Sequence, residues 1–300
     1  MKKKILISTG GSGGHIMPAI TIQDHLNIEY DILISTDLRG LKYLQNNTHK
    51  IVIVDTPKLN NIIFLPFAFI KIFFLIIKSL FLLKKEKIEI LISTGGYMSL
   101  PLCLAAKILN IKIFLIEPNM VIGRANKFFL NFCEKIICYS KNIISFPNKF
   151  ENKLIISNPL IRKKYYEKGT KERINKLFTI MVIGGSQGAK IFDKIIHEVI
   201  VNISKIHSLR IIHQTNQKNI DFLKNYYSEN KIENNVFSFD QNLNIFLSQS
   251  DLCITRAGAS SLAELSILNI PFIAIPLPTA KDNHQLENAN YYKNKDCCWI

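Results

Sequence analysis

Short apolar runs closed by small polar residues recur along this chain and alternate with longer stretches of helical period. Ile5-Leu6-Ile7 ends at Ser8 to His15, S-T-G-G-S-G-G-H, and an amphipathic segment containing Pro18 follows; the pattern predicts a strand, a glycine loop and a helix. The same arrangement returns where Ile90-Leu91-Ile92 meets S-T-G-G-Y (Ser93 to Tyr97), and again where Ile180 to Ile183 meets G-G-S-Q-G (Gly184 to Gly188). In the first half the pattern predicts strands at 4–9, 30–35, 51–54, 88–93, 112–116, 135–139 and 153–156, with helices at about 15–26, 98–109 and 123–132 and a long helix before residue 88. The second half predicts strands at 178–183, 209–214, 235–239, 251–255 and 271–275, and helices at 189–204, 219–227, 260–268 and 283–293. This is the βαβ rhythm of a doubly wound sheet, begun twice. The expectation is an α/β protein of two similar domains facing each other across a cleft: residues 1–158, a polar and basic linker at 159–177, and residues 178–300.

Three glycine loops at strand ends make the tips of a parallel sheet, where open α/β folds hold ligands. Gly10, Gly11, Gly13 and Gly14 let main-chain N–H groups approach a ligand, and the helix start behind them favours an anion such as a phosphate or sugar phosphate. The dinucleotide fingerprint G-x-G-x-x-G fails at Ile16. The P-loop pattern fails at Ile183 and Ile191, so the chain is no Walker ATPase.

Composition adds bounds. Three hundred residues at 48% hydrophobic content can bury two medium cores. Six cysteines at 103, 133, 138, 253, 297 and 298 form no C-x-x-C pair, which predicts free thiols in a reducing compartment and no zinc site. The apolar run behind Met1-Lys2-Lys3-Lys4 is too short for a signal peptide, and the expected location is cytoplasmic. Net charge is +15, unevenly held: residues 1–150 carry 19 Lys+Arg against 9 Asp+Glu, residues 151–300 carry 19 against 14. Part of that excess is a general abundance of Lys, Asn and Ile, but its placement turns the first half toward something anionic. Nucleic acid is not the expected partner, because interleaved aromatics and basic motifs are missing.

Residues 62–83 are long and apolar enough to span a bilayer, and Lys84, Lys85 and Lys87 follow. Three readings stand: a transmembrane span, a buried helix, or a helix lying in an anionic membrane surface. Against a span, Lys71 and Lys78 lie seven apart on one face, and each costs about 2.5–3.5 kcal/mol at the bilayer centre. A single crossing would also put the first two glycine loops on opposite sides of the membrane. The expectation is therefore a surface-lying helix within residues 62–87.

The densest polar constellation lies between Thr255 and Gln285: T-R-A-G-A-S-S-L-A-E, then I-P-L-P-T-A-K-D-N-H-Q. Glu264 reads as a ligand for a ribose diol, or equally as an acid compensating the dipole in the first turn of a helix. Ser260 and Ser261 read as helix caps. Gln285 and Asn288 read as sugar-hydroxyl ligands or as solvated amides.

G-G-S-G-G-H with Pro18, S-T-G-G-Y, E-P-N at Glu117 to Asn119, G-G-S-Q-G-A, R-A-G-A-S-S-L-A-E and P-x-x-K-D-N-H-Q-x-x-N-A occur in the order and spacing of the MurG family, which the chain resembles over essentially its whole length. The resemblance implies a GT-B type fold of two Rossmann-like domains. It also implies inverting transfer of N-acetylglucosamine from UDP-N-acetylglucosamine to lipid I, undecaprenyl-diphospho-muramoylpentapeptide, to form lipid II for peptidoglycan. The protein would be peripheral, on the cytoplasmic face of the bacterial inner membrane. Carried over, Glu264 is the ribose ligand, Ser186, Gln187 and Gly188 a diphosphate contact, Gln285 and Asn119 contacts to the sugar, and Arg162 a donor contact, although the sequence around it, Asn158-Pro159-Leu160-Ile161-Arg162, is one residue longer than the family's pattern. Ser12, Gly13, Gly14, His15 and Tyr97 fall near the acceptor diphosphate and the reaction centre, with His15 the candidate general base, since an unperturbed imidazole titrates near about 6.5. No D-x-D occurs, so no cofactor is required and no protein-bound metal site is expected; Mg2+ remains compatible. The family's chains continue beyond the strand begun at Cys297 to Ile300, into helices that pack across the interdomain seam, so the second domain is expected to be short. The competing readings are a UDP-N-acetylglucosamine 2-epimerase and a truncated, non-catalytic UDP-sugar or membrane-binding paralogue.

Overall fold

Leu6, Ile7, Ile34, Leu91 and Leu115 are all completely buried, because a parallel strand covered by helices on both faces has no solvent side. The computed structural model describes residues 2–44, 50–57, 65–166, 177–184, 190–238, 240 and 243–300. It divides into two compact units, Met1–Arg162 and Lys163–Ile300.

In the first unit β1 (Lys4–Ser8), β2 (Asp31–Thr36), β3 (Ile51–Ile53), β4 (Ile90–Ser93), β5 (Lys112–Glu117), β6 (Lys135–Cys138) and β7 (Leu154–Ile156) form one parallel sheet in the order β3-β2-β1-β4-β5-β6-β7. The connections carry α1 (Gly13–Leu26), α2 (Leu38–Leu41), α3 (Leu65–Lys85), α4 (Leu100–Ile108) and α5 (Arg124–Phe129). The strand order reverses direction between β1 and β4, which pair from Ile5↔Ile90 to Ser8↔Ser93. The loops after these two strands therefore diverge and leave a crevice at the sheet's carboxyl edge. Both glycine loops of this unit open there. Ile16, Ala19 and Ile22 of α1 pack on Ile5, Ile7, Ile32 and Ile34, and each such aliphatic burial contributes about 1.5–3 kcal/mol. Residues 160–161 still pack on this unit: the Leu160 N–H donates to the Tyr139 hydroxyl, and the Ile161 carbonyl accepts from His25.

The buried-helix reading of residues 62–83 does not hold for the described part of the segment. Ala68, Ile72, Ser79 and Leu83 form one buried stripe on α3, which packs on α4, whereas Phe67, Phe69, Ile70, Phe73, Phe74 and Phe81 are exposed. Residues 66–85 are long and apolar enough to cross a membrane. A crossing would nevertheless separate β1 from β4, which are hydrogen-bonded neighbours on either side of α3 in sequence.

In the second unit β8 (Phe178–Ile183), β9 (Leu209–Gln214), β10 (Glu233–Phe237), β11 (Leu252–Thr255), β12 (Phe272–Ala274) and β13 (Cys298–Trp299) form a parallel sheet in the order β10-β9-β8-β11-β12-β13. Its helices are α6 (Lys190–Ser204), α7 (Ile220–Glu229), α8 (Leu243–Ser248), α9 (Ala259–Ile267) and α10 (His284–Lys293). The third glycine loop thus follows the first strand of a second sheet, and its residues 185–189 lie outside the described residues. The order reverses between β8 and β11, so this unit has its own crevice edge.

Under that edge Asp193, near the start of α6, is buried beside His213 on β9. Asp193 Oδ1 lies 3.6 Å from His213 Nε2, Oδ2 accepts from Asn219 Nδ2 at 2.8 Å, and His213 Nδ1 bonds the Tyr227 hydroxyl at 2.8 Å. Burial pushes the Asp193 carboxyl up, but His213, Asn219 and Thr215 together outweigh it and hold it below the ordinary carboxylate value. A carboxyl depressed in the folded state adds stability above its unfolded pKa, about 3.9, and loses it as pH falls through the lower folded value. Asp193→Asn is expected to lower unfolding free energy at pH 7 by about 1–3 kcal/mol, with the gap to the parent closing below about pH 4. Denaturant titrations at pH 7 and pH 3 check this, and a gap independent of pH would contradict the electrostatic origin.

Candidate functional site

The first glycine loop brings backbone and imidazole together. Gly11 has φ +79, a backbone conformation that L side chains rarely adopt, so the turn of this loop favours glycine; the tip of the Met98 side chain lies against it. Ser12 precedes α1 without a side-chain capping bond, which leaves its hydroxyl uncommitted to the helix. Gly13 and Gly14 open the helix, where amide N–H groups have no carbonyl one turn back. His15 follows, with Nδ1 2.8 Å from the Thr94 carbonyl on the second glycine loop. A carbonyl oxygen can only accept, so in the neutral ring Nδ1 carries the proton and Nε2 keeps its lone pair. Gly95 and Gly96 border the ring at ordinary contact distance, with Cβ positions 3.5 Å from its Cε1 and 3.4 Å from its Cδ2, and their φ values of +89 and +84 are what favour glycine there. The Thr94 hydroxyl donates to Thr9 Oγ1 at 2.9 Å and ties the two loops below the ring.

A second tie runs through β2. Asp37, 1% exposed, accepts at Oδ1 from the Gly11 N–H (2.8 Å) and the Gly40 N–H (2.9 Å), and at Oδ2 from Arg39 Nε (2.8 Å) and Nη2 (2.7 Å). Burial raises its carboxyl, yet the bonds from Gly11, Arg39 and Gly40 outweigh that and leave it below the ordinary range. Arg39 Nη2 also donates to the Tyr97 hydroxyl at 2.5 Å, and the guanidinium carbon lies 5.4 Å from the Tyr97 ring centre. Desolvation is the largest influence on the Tyr97 phenol and raises it, which keeps the hydroxyl protonated at neutral pH.

Asn119 hangs from a third buried carboxylate. Glu117 ends β5 and accepts at Oε1 from the Asn119 N–H (3.3 Å) and Nδ2 (3.0 Å), and at Oε2 from the Gly123 N–H (2.7 Å) and Asn126 Nδ2 (3.0 Å). The Asn126 amide lies 3.3 Å from where a Gly95 Cβ would be, so this network reaches the wall of the His15 pocket. The structure therefore gathers Ser12, Gly13, Gly14, His15, Tyr97 and Asn119 along one edge of one sheet. Arg162 is the last residue of this unit.

The second unit holds Glu264 and Gln285. Gln285 Oε1 accepts from the Leu277 N–H at 2.9 Å, which joins the start of α10 to the loop after β12. Glu264 is buried in the middle of α9. Its alternative role as a first-turn acid does not hold, because the cap is Gly258 and Glu264 lies six residues beyond it. Ser260 and Ser261 sit inside the helix and are not its caps, since the chain turns helical two residues earlier than the serines suggest. Asn288 is neither a sugar-facing nor a solvated amide: it is 2% exposed and donates to the Ala257 carbonyl at 3.1 Å. Ser186, Gln187 and Gly188 lie outside the described residues. Among the described residues no group of three His, Cys, Asp or Glu side chains is placed to hold a metal ion.

Several organising residues went unassigned in the sequence. Arg256 Nη1 donates to the Ile275 carbonyl (3.1 Å) and the Pro276 carbonyl (3.3 Å), bridging the loops after β11 and β12, and its guanidinium stacks 4.9 Å from the Phe192 ring centre. Its signal was its place in R-A-G-A-S-S. Glu117 stood in a quoted motif without a role. Asp37, Arg39 and Asn126 lay outside every motif.

The glycosyltransferase family 28 N-terminal domain matches residues 5–138, and the glycosyltransferase family 28 C-terminal domain matches residues 179–300. A protein of Pelagibacter ubique (strain HTCC1062) named UDP-N-acetylglucosamine--N-acetylmuramyl-(pentapeptide) pyrophosphoryl-undecaprenol N-acetylglucosamine transferase is 49% identical over 100% of this chain and 85% of its own length. A Rickettsia canadensis (strain McKiel) protein of the same name is 34% identical over 99% of the chain and 85% of its own length. The crystal structure of Acinetobacter baumannii MurG superposes with a TM-score of 0.77 at 23% identity, covering 100% of this chain and 86% of that one, so the fold is shared. Two matched domains and near-complete coverage by relatives of one name place the chain in glycosyltransferase family 28, where it belongs to the MurG family.

Proposed function

We propose that the protein transfers N-acetylglucosamine from UDP-N-acetylglucosamine to lipid I, giving lipid II for peptidoglycan. The observation that carries this is the 49% identity, along the whole chain, to a protein named for that reaction. The geometry supports it: an imidazole with a free Nε2 stands beside a glycine-lined helix start at the carboxyl edge of a parallel sheet.

In this reading the C4 hydroxyl of the acceptor attacks the anomeric carbon from the side opposite UDP. The new C–O bond forms as the bond to the β-phosphate oxygen breaks, the electron pair leaves with UDP, and the hydroxyl proton passes to His15 Nε2. The Thr94 carbonyl stabilises the imidazolium that results. Amide N–H groups of Gly13 and Gly14 face the acceptor diphosphate, with Ser12 and Tyr97 beside them. Asn119 contacts the transferred sugar, Glu264 the ribose, Gln285 the sugar, and Arg162 and residues 186–188 the donor. An epimerase would need no lipid acceptor, and the transfer assay separates the two.

The exposed phenylalanines of α3, together with Lys71, Lys78, Lys84 and Lys85, suit the anionic headgroups and outer acyl region of the inner membrane's cytoplasmic face. Each lysine near such a surface adds about 1 kcal/mol of attraction. Roles in cell shape and division follow from this place in wall synthesis.

Three outcomes are expected. His15→Ala lowers kcat for UDP release by about 10²- to 10⁴-fold, and near-normal turnover would remove the base assignment. Glu264→Gln raises the KM for UDP-N-acetylglucosamine on the order of tenfold and leaves the acceptor KM alone; the reverse pattern would place Glu264 elsewhere. The parent floats with anionic liposomes at low salt, whereas a Phe73→Ser, Phe74→Ser, Phe81→Ser variant stays behind with its thermal midpoint preserved, since all three rings are exposed. Equal flotation of both proteins would sink the surface-helix reading.

A further inference from the structure

Arg39 combines a rigid pose with uncommitted donors: it is ion-paired with Asp37, yet its guanidinium is partly exposed. Its Nε and one Nη are fixed by Asp37, and the other Nη has no hydrogen-bond partner among the described residues. The buried carboxylate holding it is fully occupied: Oδ1 accepts two backbone N–H groups and Oδ2 two guanidinium N–H groups, so the negative end faces the protein interior while the guanidinium is 43% exposed. The guanidinium stands over the first glycine loop, with Nη2 3.6 Å from where a Gly11 Cβ would be. Tyr97 completes the arrangement. Its hydroxyl oxygen accepts from Arg39, so its own proton is left for another acceptor.

A partly exposed guanidinium with an uncommitted N–H pair, a hydroxyl whose proton is not used by Arg39, and the amides at the start of α1 come from three strand ends. All of them are donors, and planar guanidinium forks match phosphate oxygens. We propose that Arg39 is the cation that grips the diphosphate of the lipid-linked acceptor, with Asp37 as the positioning residue that aims it and Tyr97 as its partner donor. The inference rests on the transferase reading above and adds a specific acceptor contact to it. Arg39 then distinguishes a diphosphate-linked acceptor from a free sugar, because an uncharged acceptor leaves the fork unanswered.

The test is steady-state transfer by the full chain to a water-soluble lipid I analogue that retains the diphosphate. For Arg39→Met the acceptor KM is expected to rise on the order of tenfold to a hundredfold, with the UDP-N-acetylglucosamine KM within about twofold of the parent's. Inorganic pyrophosphate, competing against the acceptor, should weaken by the same factor, and Arg39→Lys should recover part of the loss because it restores charge without the fork. An unchanged acceptor KM overturns the proposal, as does an equal rise for both substrates with a lowered thermal midpoint, which would make Arg39 a structural clamp. If Arg39→Met does not fold, Arg39→Lys decides by the same KM comparison. If the parent itself transfers nothing, the enzyme reading falls, and Arg39 is judged by calorimetric titration of pyrophosphate in excess UDP: weaker binding by the variant supports it, equal binding overturns it.

Discussion

The pairing of β1 with β4 is the constraint on which the candidate acceptor site depends. The parallel register from Ile5↔Ile90 to Ser8↔Ser93 sets two glycine loops side by side at one height. The Thr94 carbonyl then falls under the His15 ring and fixes which nitrogen keeps its lone pair. A slip of one residue would turn every buried strand side chain to the opposite face and carry Thr94 away from the imidazole. The position of His15 Nε2 is thus decided by aliphatic packing several residues below it, where Ile5, Ile7, Ile34 and Ile92 interlock with α1.

Three buried carboxylates organise the loops. Asp37, Glu117 and Asp193 each stand at or near a strand end or helix start and collect donors from other segments. Leaving any of these donors unpaired would cost about 1–3 kcal/mol, so each carboxylate specifies one loop arrangement over its alternatives. Arg256 plays the mirrored part in the second unit, where a cation collects carbonyls from two loops. Loops with so many glycines need such fasteners, since their own side chains contribute little to hold them.

The legibility of the molecule in its sequence follows from how local each signal is. Strands covered on both faces carry apolar cores such as Ile180 to Ile183 and Ile211-Ile212, so Phe178–Ile183 and Leu209–Gln214 coincide with their predicted spans. The four residues of α2 and six of α8 are too short to show a period and were absent from the reading. Helix starts were less legible: Ser260 and Ser261 have the chemistry of caps, yet Gly258 takes that place and moves Glu264 out of the first turn. Asp37 and Arg39 carried no local signal, because what gives them meaning is Gly11, twenty-six residues away on the neighbouring strand's loop. Lateral sheet order is the information a motif lacks. The long apolar stretch at 62–83 showed that an unusual surface existed, but the residues that pack inward, Ala68, Ile72, Ser79 and Leu83, emerge from the packing on α4.

The course of α3 through the first unit has a mechanical consequence. As the crossover from β3 to β4 it runs the full depth of the sheet, from the edge that bears the glycine loops back to the edge where the strands begin, and its 21 residues extend about 30 Å. Were this helix the proposed lipid contact, a line of that length would resist pitching along its own direction and leave two translations, one spin and a roll about the helix axis. The search for a lipid-borne partner would then be two-dimensional, with the edge of the sheet that bears the glycine loops held at one end of the contact line.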